Sequence, residues 1–254
     1  MPLKDVKYKY NQSIIKVFGY GENKKIKVIT MNCLRTAGIE DENEIFALRG
    51  SVNDEKLDES IIRAKNKIFE LAFCNPWQYF FTGTLNPKLY DRTDLKKYHK
   101  DLTKWLANQG QKFGCKIDFL LIPELHTDGK SWHIHGFING LPDTELKQFV
   151  IGDKMGKALA DKVSKGDIVY NWLAYQNKFG FCDLEPIRNA EAVSKYITKY
   201  INKNLATSVK ELNAHLYYHS RGLQMAQTIK KGTMLADIAP TYTNDYCSVA
   251  WLDY

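Results

Sequence analysis

The sequence predicts an α+β fold, a central and mostly antiparallel β-sheet flanked by helices, with the helices on one face. Two observations carry the prediction. Two long stretches, 54–73 and 94–108, place apolar residues at the helical period. Between and after them lie short runs rich in Val, Ile, Phe and Tyr, and two of these are joined by a turn too short for anything but an antiparallel pair. The resulting order of strand, helix, strands and helix packs as layers around one sheet.

The elements follow in order. Val6–Phe18 and Lys25–Met31 read as a hairpin turning at Gly19-Tyr20-Gly21-Glu22-Asn23. Residues 35–53 are polar and acidic, a loop or linker. Leu57, Ile61, Ala64, Ile68 and Leu71 line the first helix, and Asn75-Pro76 stops it. Gln78–Leu85 is a strand closed by Asn86-Pro87. Leu95, Tyr98, Leu102, Trp105 and Leu106 line a second helix from about Asp94 to Asn108, with Thr93 as its cap. Asp118–Leu125 and Ser131–Asn139 are strands joined by the turn His126–Ser131. Residues 143–164 read as a weaker helix, and Asp167–Trp172 with Phe179–Glu185 as a further strand pair. Asn189 caps a helix from Ala190 to about Lys203, and Leu216–Arg221 and Tyr246–Leu252 are strand-like. The chain is expected to be a single domain, with its core at about 54–205, a hairpin extension at 1–50 and strands at 206–254.

The net charge of +7 and a pI near 8.9 favour a polyanionic partner, nucleic acid first. The 15 tyrosines suit stacking on unpaired bases and equally suit a β-rich core. Five scattered cysteines without a C-x-x-C pair argue against a disulfide framework or structural zinc, and for reduced thiols in a cytoplasm. No apolar leader opens the sequence and no apolar run is long enough to span a membrane, so neither a signal peptide nor a membrane contact is expected.

Chemistry concentrates at Trp132-His133-Ile134-His135-Gly136-Phe137. On a strand His133 and His135 share a face, roughly 7 Å apart. Glu124 on the preceding strand lies nine residues before His133 across a short turn, which sets it beside them. Two imidazoles and a carboxylate with open positions suit a catalytic Mg²⁺ or Mn²⁺ better than a closed zinc site. The bland alternative is a pair of hydrogen-bonded strand histidines. His126, near the turn, is a weaker candidate, solvated or supporting.

The last helix carries Tyr196, Lys199 and Tyr200. At 100° per residue Val193, Ile197 and Ile201 form its buried stripe, with Tyr200 nearer that stripe and Tyr196 nearer the lysines. A phenol is a poor nucleophile, but an adjacent ammonium favours its phenolate. Attack on a phosphodiester would yield a phosphotyrosine. Taken by itself such a helix is better read as an amphipathic face with solvated lysines, and the metal site beside it is what changes that reading.

Three stretches line up in order: Phe80-Phe81-Thr82-Gly83-Thr84-Leu85-Asn86-Pro87, His133-Ile134-His135 and Tyr196-Ile197-Thr198-Lys199-Tyr200. Together they resemble the rolling-circle replication initiators (Rep proteins) of the HUH endonuclease superfamily, phage and plasmid type, with two tyrosines. Tyr217–Leu223 also looks like the tail of the phage-type initiators. The resemblance implies His133, His135 and Glu124 as metal ligands, Tyr196 as principal nucleophile, Tyr200 as the second tyrosine and Lys199 as the motif lysine. Thr82, Thr84 and Asn86 would support the site or position the strand. Gly83 departs from the pattern, where a larger apolar residue is usual, and would let a backbone approach closely. The implied partner is single-stranded or hairpin origin DNA in a bacterial cytoplasm. Gly152–Lys157 has the wrong spacing for a P-loop, so a host helicase and polymerase would complete replication. A homo-oligomer is left open. Three alternatives stand beside this one: a single-strand transposase of the same superfamily, a non-catalytic origin-binding regulator, and a metallohydrolase without a covalent step.

Overall fold

The computed structural model describes residues 7–8, 12–31, 36–37, 54–200, 216–233, 238–244 and 247–254. In chain order the elements are β1 (Lys7–Tyr8), β2 (Gln12–Tyr20), β3 (Asn23–Met31), β4 (Thr36–Ala37), α1 (Asp54–Phe73), β5 (Tyr79–Thr84), α2 (Leu95–Phe113), β6 (Asp118–Leu125), β7 (Trp132–Asn139), β8 (Leu146–Gln148), α3 (Lys157–Ser164), β9 (Tyr170–Trp172), α4 (Leu173–Lys178), β10 (Cys182–Pro186), α5 (Ala190–Ile197), β11 (Tyr218–His219), β12 (Gln227–Thr233), β13 (Tyr242–Thr243) and β14 (Cys247–Asp253). The fold is α+β with two large antiparallel sheets. Where the sequence suggests one domain with extensions, the internal contacts group the chain into two compact units. One comprises 1–53, 73–75 and 224–254, and the other 54–72 and 76–223.

In the first unit, strands from both ends of the chain form one five-stranded sheet in the order β12-β2-β3-β14-β13. The β2–β3 hairpin is tighter than expected: Tyr20 pairs with Asn23, leaving a two-residue turn. β12 and β13 are not foreseen from the sequence. Phe18, Phe73 and Trp251 pack as an aromatic group in this unit. The acidic stretch 38–53 and residues 201–203 of the expected last helix lie outside the described residues.

The second unit holds a seven-stranded antiparallel sheet in the order β11-β6-β7-β5-β10-β9-β8. Because strand side chains alternate, one face presents Tyr79, Phe81, Phe119, Leu121, Ile134 and Leu184. These pack in one core with Tyr98, Leu102 and Leu106 of α2, Tyr175 of α4 and Phe179. The opposite face meets α5 and the turn after it, through Phe80–Tyr196 and His135–Tyr200 ring contacts. Helices therefore lie on both faces, not one.

Several elements differ from expectation for identifiable reasons. α2 is capped by Asp94, whose carboxylate accepts from Lys97 N at 2.9 Å, while Thr93 bonds Asp91 instead. It runs on to Phe113, where Gly114 at φ 68° closes it. Of the stretch 143–164 only α3 is α-helical. Leu146–Gln148 pairs with β9, and Phe149, buried, donates its N–H to Val169, so sheet pairing overrides helical propensity there. The strand pair at 167–185 forms as β9 and β10, with α4 between them.

Gly83 is the one departure within the motif-bearing strand, and the structure explains it. A Cβ there would lie 2.5 Å from the Tyr175 hydroxyl and 2.8 Å from the Phe81 ring. The close approach is by a side chain of the core, not by a backbone. Tyr175 also hydrogen-bonds Tyr98 in the fully buried interior.

Candidate active site

β7 is an interior strand of the seven-stranded sheet, between β6 and β5, and its register sets the site. His133 stands opposite Glu124 on one side and Thr84 on the other. His135 stands opposite Ile122 and Thr82, and Thr82 in turn faces Asp183 of β10. The turn that allows the β6–β7 pairing is held by Asp128, which accepts from Lys130 N, Ser131 N and Ser131 Oγ at 2.9, 2.8 and 2.6 Å.

The two threonines contact the histidines directly. Thr84 Oγ1 lies 2.9 Å from His133 Nδ1, and Thr82 Oγ1 lies 3.4 Å from His135 Nδ1. Glu124 Oε2 lies 2.7 Å from His135 Nε2. That hydrogen bond, against the opposing effect of burial, holds the Glu124 carboxyl below its usual range, with help from His135, His133 and Lys199. Burial first, then the neighbouring His126 and His135, push His133 down to about 4, against the pull of Glu124. His133 is therefore a neutral imidazole at physiological pH. His126 stacks on His133 with ring centroids 4.8 Å apart, so it borders the site. Asn86 has a different job: its Oδ1 accepts from Lys88 N at 3.0 Å and shapes its own loop.

The tyrosines arrive on α5 and the 3₁₀ turn Thr198–Tyr200 that extends it. Asn189 caps α5 as its sequence predicts, accepting from Ala192 N at 2.9 Å. The buried line is Ser194, Ile197 and Tyr200, whereas Val193 is only half-buried. Residues three apart stack in register as the helix tightens to three per turn, which brings Tyr200 into line with Ile197. The Tyr200 ring stacks on His135 at 4.2 Å, and its hydroxyl donates to the Tyr196 hydroxyl at 3.1 Å. Tyr196 is 47% exposed, and Lys199 Nζ sits 3.5 Å from the centre of its ring.

These contacts split the two phenols. Burial raises Tyr196, but Lys199 and the Tyr200 hydroxyl outweigh it and bring the phenol below its ordinary value. Tyr200 is pushed well above its ordinary value, by burial first and then by Tyr196, Glu124 and Asp183. Tyr196 is the more acidic, outward-facing phenol, and Tyr200 is its hydrogen-bond donor.

No local sequence pattern singles out Asp183, which joins the site through β10. Burial, then the charge of Glu185, push it up to about 6, opposed by Lys162, His135 and a hydrogen bond with Thr82. Glu185 itself pairs with Lys162 at 2.7 Å. The alternation Asp183-Leu184-Glu185 does place two carboxylates on one strand face, but only the pairing of β10 with β5 shows which face that is.

Glu124, His133 and His135 offer oxygen and nitrogen donors of the types that divalent cations take. Threonine hydroxyls contact both Nδ1 atoms, which favours fixed ring orientations, and Glu124 Oε2 engages the Nε2 of His135. Among the described residues no three such side chains close on one ion-sized centre. Glu124 bonds His135 directly, and its side chain is 43% exposed.

A model of the family described as Replication-associated protein ORF2/G2P matches residues 78–205, just over half of the chain. The chain belongs to this family. The ORF2/G2P match runs from the start of β5 beyond the 3₁₀ turn and so contains every residue of the site just described. As a member the chain is a replication-associated protein, and its partner is DNA. No match is found among curated proteins or solved structures. Among the described residues no helix is long and apolar enough to cross a membrane.

Proposed function

We propose that this protein is a rolling-circle replication initiator of HUH type that nicks and rejoins one DNA strand through a 5′-phosphotyrosine. The observation that carries the proposal is the contact between the two halves of the site: Tyr200 stacks on His135 and hydrogen-bonds Tyr196. It joins the histidine strand and the tyrosine helix in one cluster.

In this reading the Tyr196 oxygen attacks a phosphorus of unpaired origin DNA. The P–O3′ bond breaks, a P–O bond to Tyr196 forms, and the leaving O3′ takes a proton to become a 3′-OH primer. Lys199, its Nζ 3.5 Å from the centre of the Tyr196 ring, favours the phenolate before attack and would stabilise the developing charge. Tyr200 donates to the phenolate, and in the terminating transfer it would serve as the second nucleophile. His133, His135 and Glu124 would hold Mg²⁺ or Mn²⁺. Such an ion, when bound, polarises a phosphate oxygen and makes the phosphorus easier to attack. Thr82 and Thr84 hold the two imidazoles in place for it. Host helicase and polymerase would extend the primer.

The test is incubation with Mn²⁺ and a labelled single-stranded origin oligonucleotide. The wild type is expected to form an adduct that survives SDS, and Tyr196→Phe with Tyr200→Phe to form none. Metal-independent binding without nicking would favour the regulator, and cleavage by the double variant would favour a hydrolase.

A further inference from the structure

The loop between β5 and α2 forms an open pocket of about 650 Å³ together with Ser131, lined by Lys88, Tyr90, Asp91, Arg92 and Thr93 among others. The pocket adjoins the histidine strand. Trp132 N donates to the Arg92 carbonyl at 3.0 Å, and Ser131 lies two residues before His133. The Arg92 charge is near enough to act on His133.

Two features of the pocket point to an anion. Arg92 Nε is buried and has no hydrogen-bond partner among the described residues, which is costly for a donor on a cation. Lys88 is exposed on the same wall. The acidic residue there, Asp91, is already engaged: its Oδ1 accepts from Thr93 N at 2.9 Å and Thr93 Oγ1 at 2.8 Å. A phosphate in the pocket would meet the partly exposed Arg92 side chain, whose planar donor fork matches phosphate oxygens.

We propose that this pocket binds a backbone phosphate of single-stranded DNA through Arg92 and Lys88, holding the strand beside His133. The proposal rests on DNA being the substrate of the neighbouring site, and it names where the strand next to the reacting phosphate is gripped.

The experiment uses the full chain carrying Tyr196→Phe, with EDTA present, so that neither metal nor covalent chemistry enters. Fluorescein-labelled oligo(dT) is titrated by anisotropy across a salt series. Arg92→Gln and Lys88→Gln are compared with Lys104→Gln, an exposed charge on α2 outside the pocket. Each pocket variant is expected to flatten the slope of log affinity against log salt by about 0.7, one lost phosphate contact on a single strand. Loss of the charge-assisted bond of Arg92 should also weaken binding roughly tenfold. Lys104→Gln should leave the slope unchanged. Wild-type slopes in both pocket variants, or an equal fall in Lys104→Gln, would overturn the proposal. Should Arg92→Gln fail to fold, Lys88→Gln decides by the same criterion. A flattened slope beside a wild type that forms no adduct would keep the pocket and remove the nicking mechanism. The reverse pattern would do the opposite.

Discussion

Tyr200→Phe separates the two roles that the structure gives to this side chain. The ring stacked on His135 is kept, and the hydroxyl that donates to Tyr196 at 3.1 Å is removed. A hydrogen bond to a charged group contributes about 1.5–3 kcal/mol. Tyr196 is 47% exposed, so water replaces much of what is lost, and about 1 kcal/mol is a fair discounted figure. Its loss moves the Tyr196 phenol upward, because the bond favours the phenolate. The attacking form exists above this pKa, so the rising limb of the pH–rate profile should move to higher pH. Below it, single-turnover adduct formation should slow roughly fivefold. The assay is the rate of SDS-resistant adduct formation from pH 6 to 10 with Mn²⁺ in excess. An unshifted profile would refute the hydrogen-bond argument. Complete loss of adduct would show that Tyr200 is itself the first nucleophile.

Three other perturbations test different parts of the account. Thr84→Val removes the oxygen 2.9 Å from His133 Nδ1 and should weaken Mn²⁺ binding roughly 10–100-fold by calorimetry, whereas unchanged affinity would mean the threonine does not orient the ring. Asp183 has its folded pKa raised to about 6, so the folded state holds the proton more tightly and stability is lost as pH rises from about 4 through 6. Asp183→Asn should therefore stabilise the metal-free protein by up to about 3 kcal/mol above pH 6.5 and by little at pH 4, read from urea midpoints; equal effects at both pH values would contradict this. Gly83→Ala should destabilise by about 1–3 kcal/mol in thermal melts, because the new methyl meets the Tyr175 hydroxyl and the Phe81 ring, and a neutral result would show that this core can yield.

How much of the site could be read from the sequence depends on how local each contact is. His133, His135 and Glu124 could be placed because β6 and β7 are joined by a six-residue turn, which fixes their register and the face they share. The order of Tyr196 outside and Tyr200 inside followed from helical periodicity, although the 3₁₀ ending changed which residues share the buried line. Asp183 could not be placed. It reaches the site only because β10 crosses back to pair with β5, about a hundred residues earlier, and no local pattern announces that partner. The same holds for β8, whose pairing with β9 overrode a helical period, and for the first unit, where β12 and β14 return from the far end of the chain to flank the β2–β3 hairpin. The strand face that binds its neighbours is written in alternation, but the identity of a distant neighbour is not.

The central claim, that Tyr196 carries the DNA, can be tested directly because Lys195, Lys199 and Lys203 bracket the two tyrosines. Trypsin cuts after each lysine, so Tyr196 and Tyr200 fall in separate peptides, Tyr196–Lys199 and Tyr200–Lys203. The adduct formed by the wild type on first cleavage is digested with nuclease and trypsin, and the phosphonucleotide is located by mass spectrometry. The account predicts it on the Tyr196 peptide. A nucleotide found only on the Tyr200 peptide, or on neither, would contradict it.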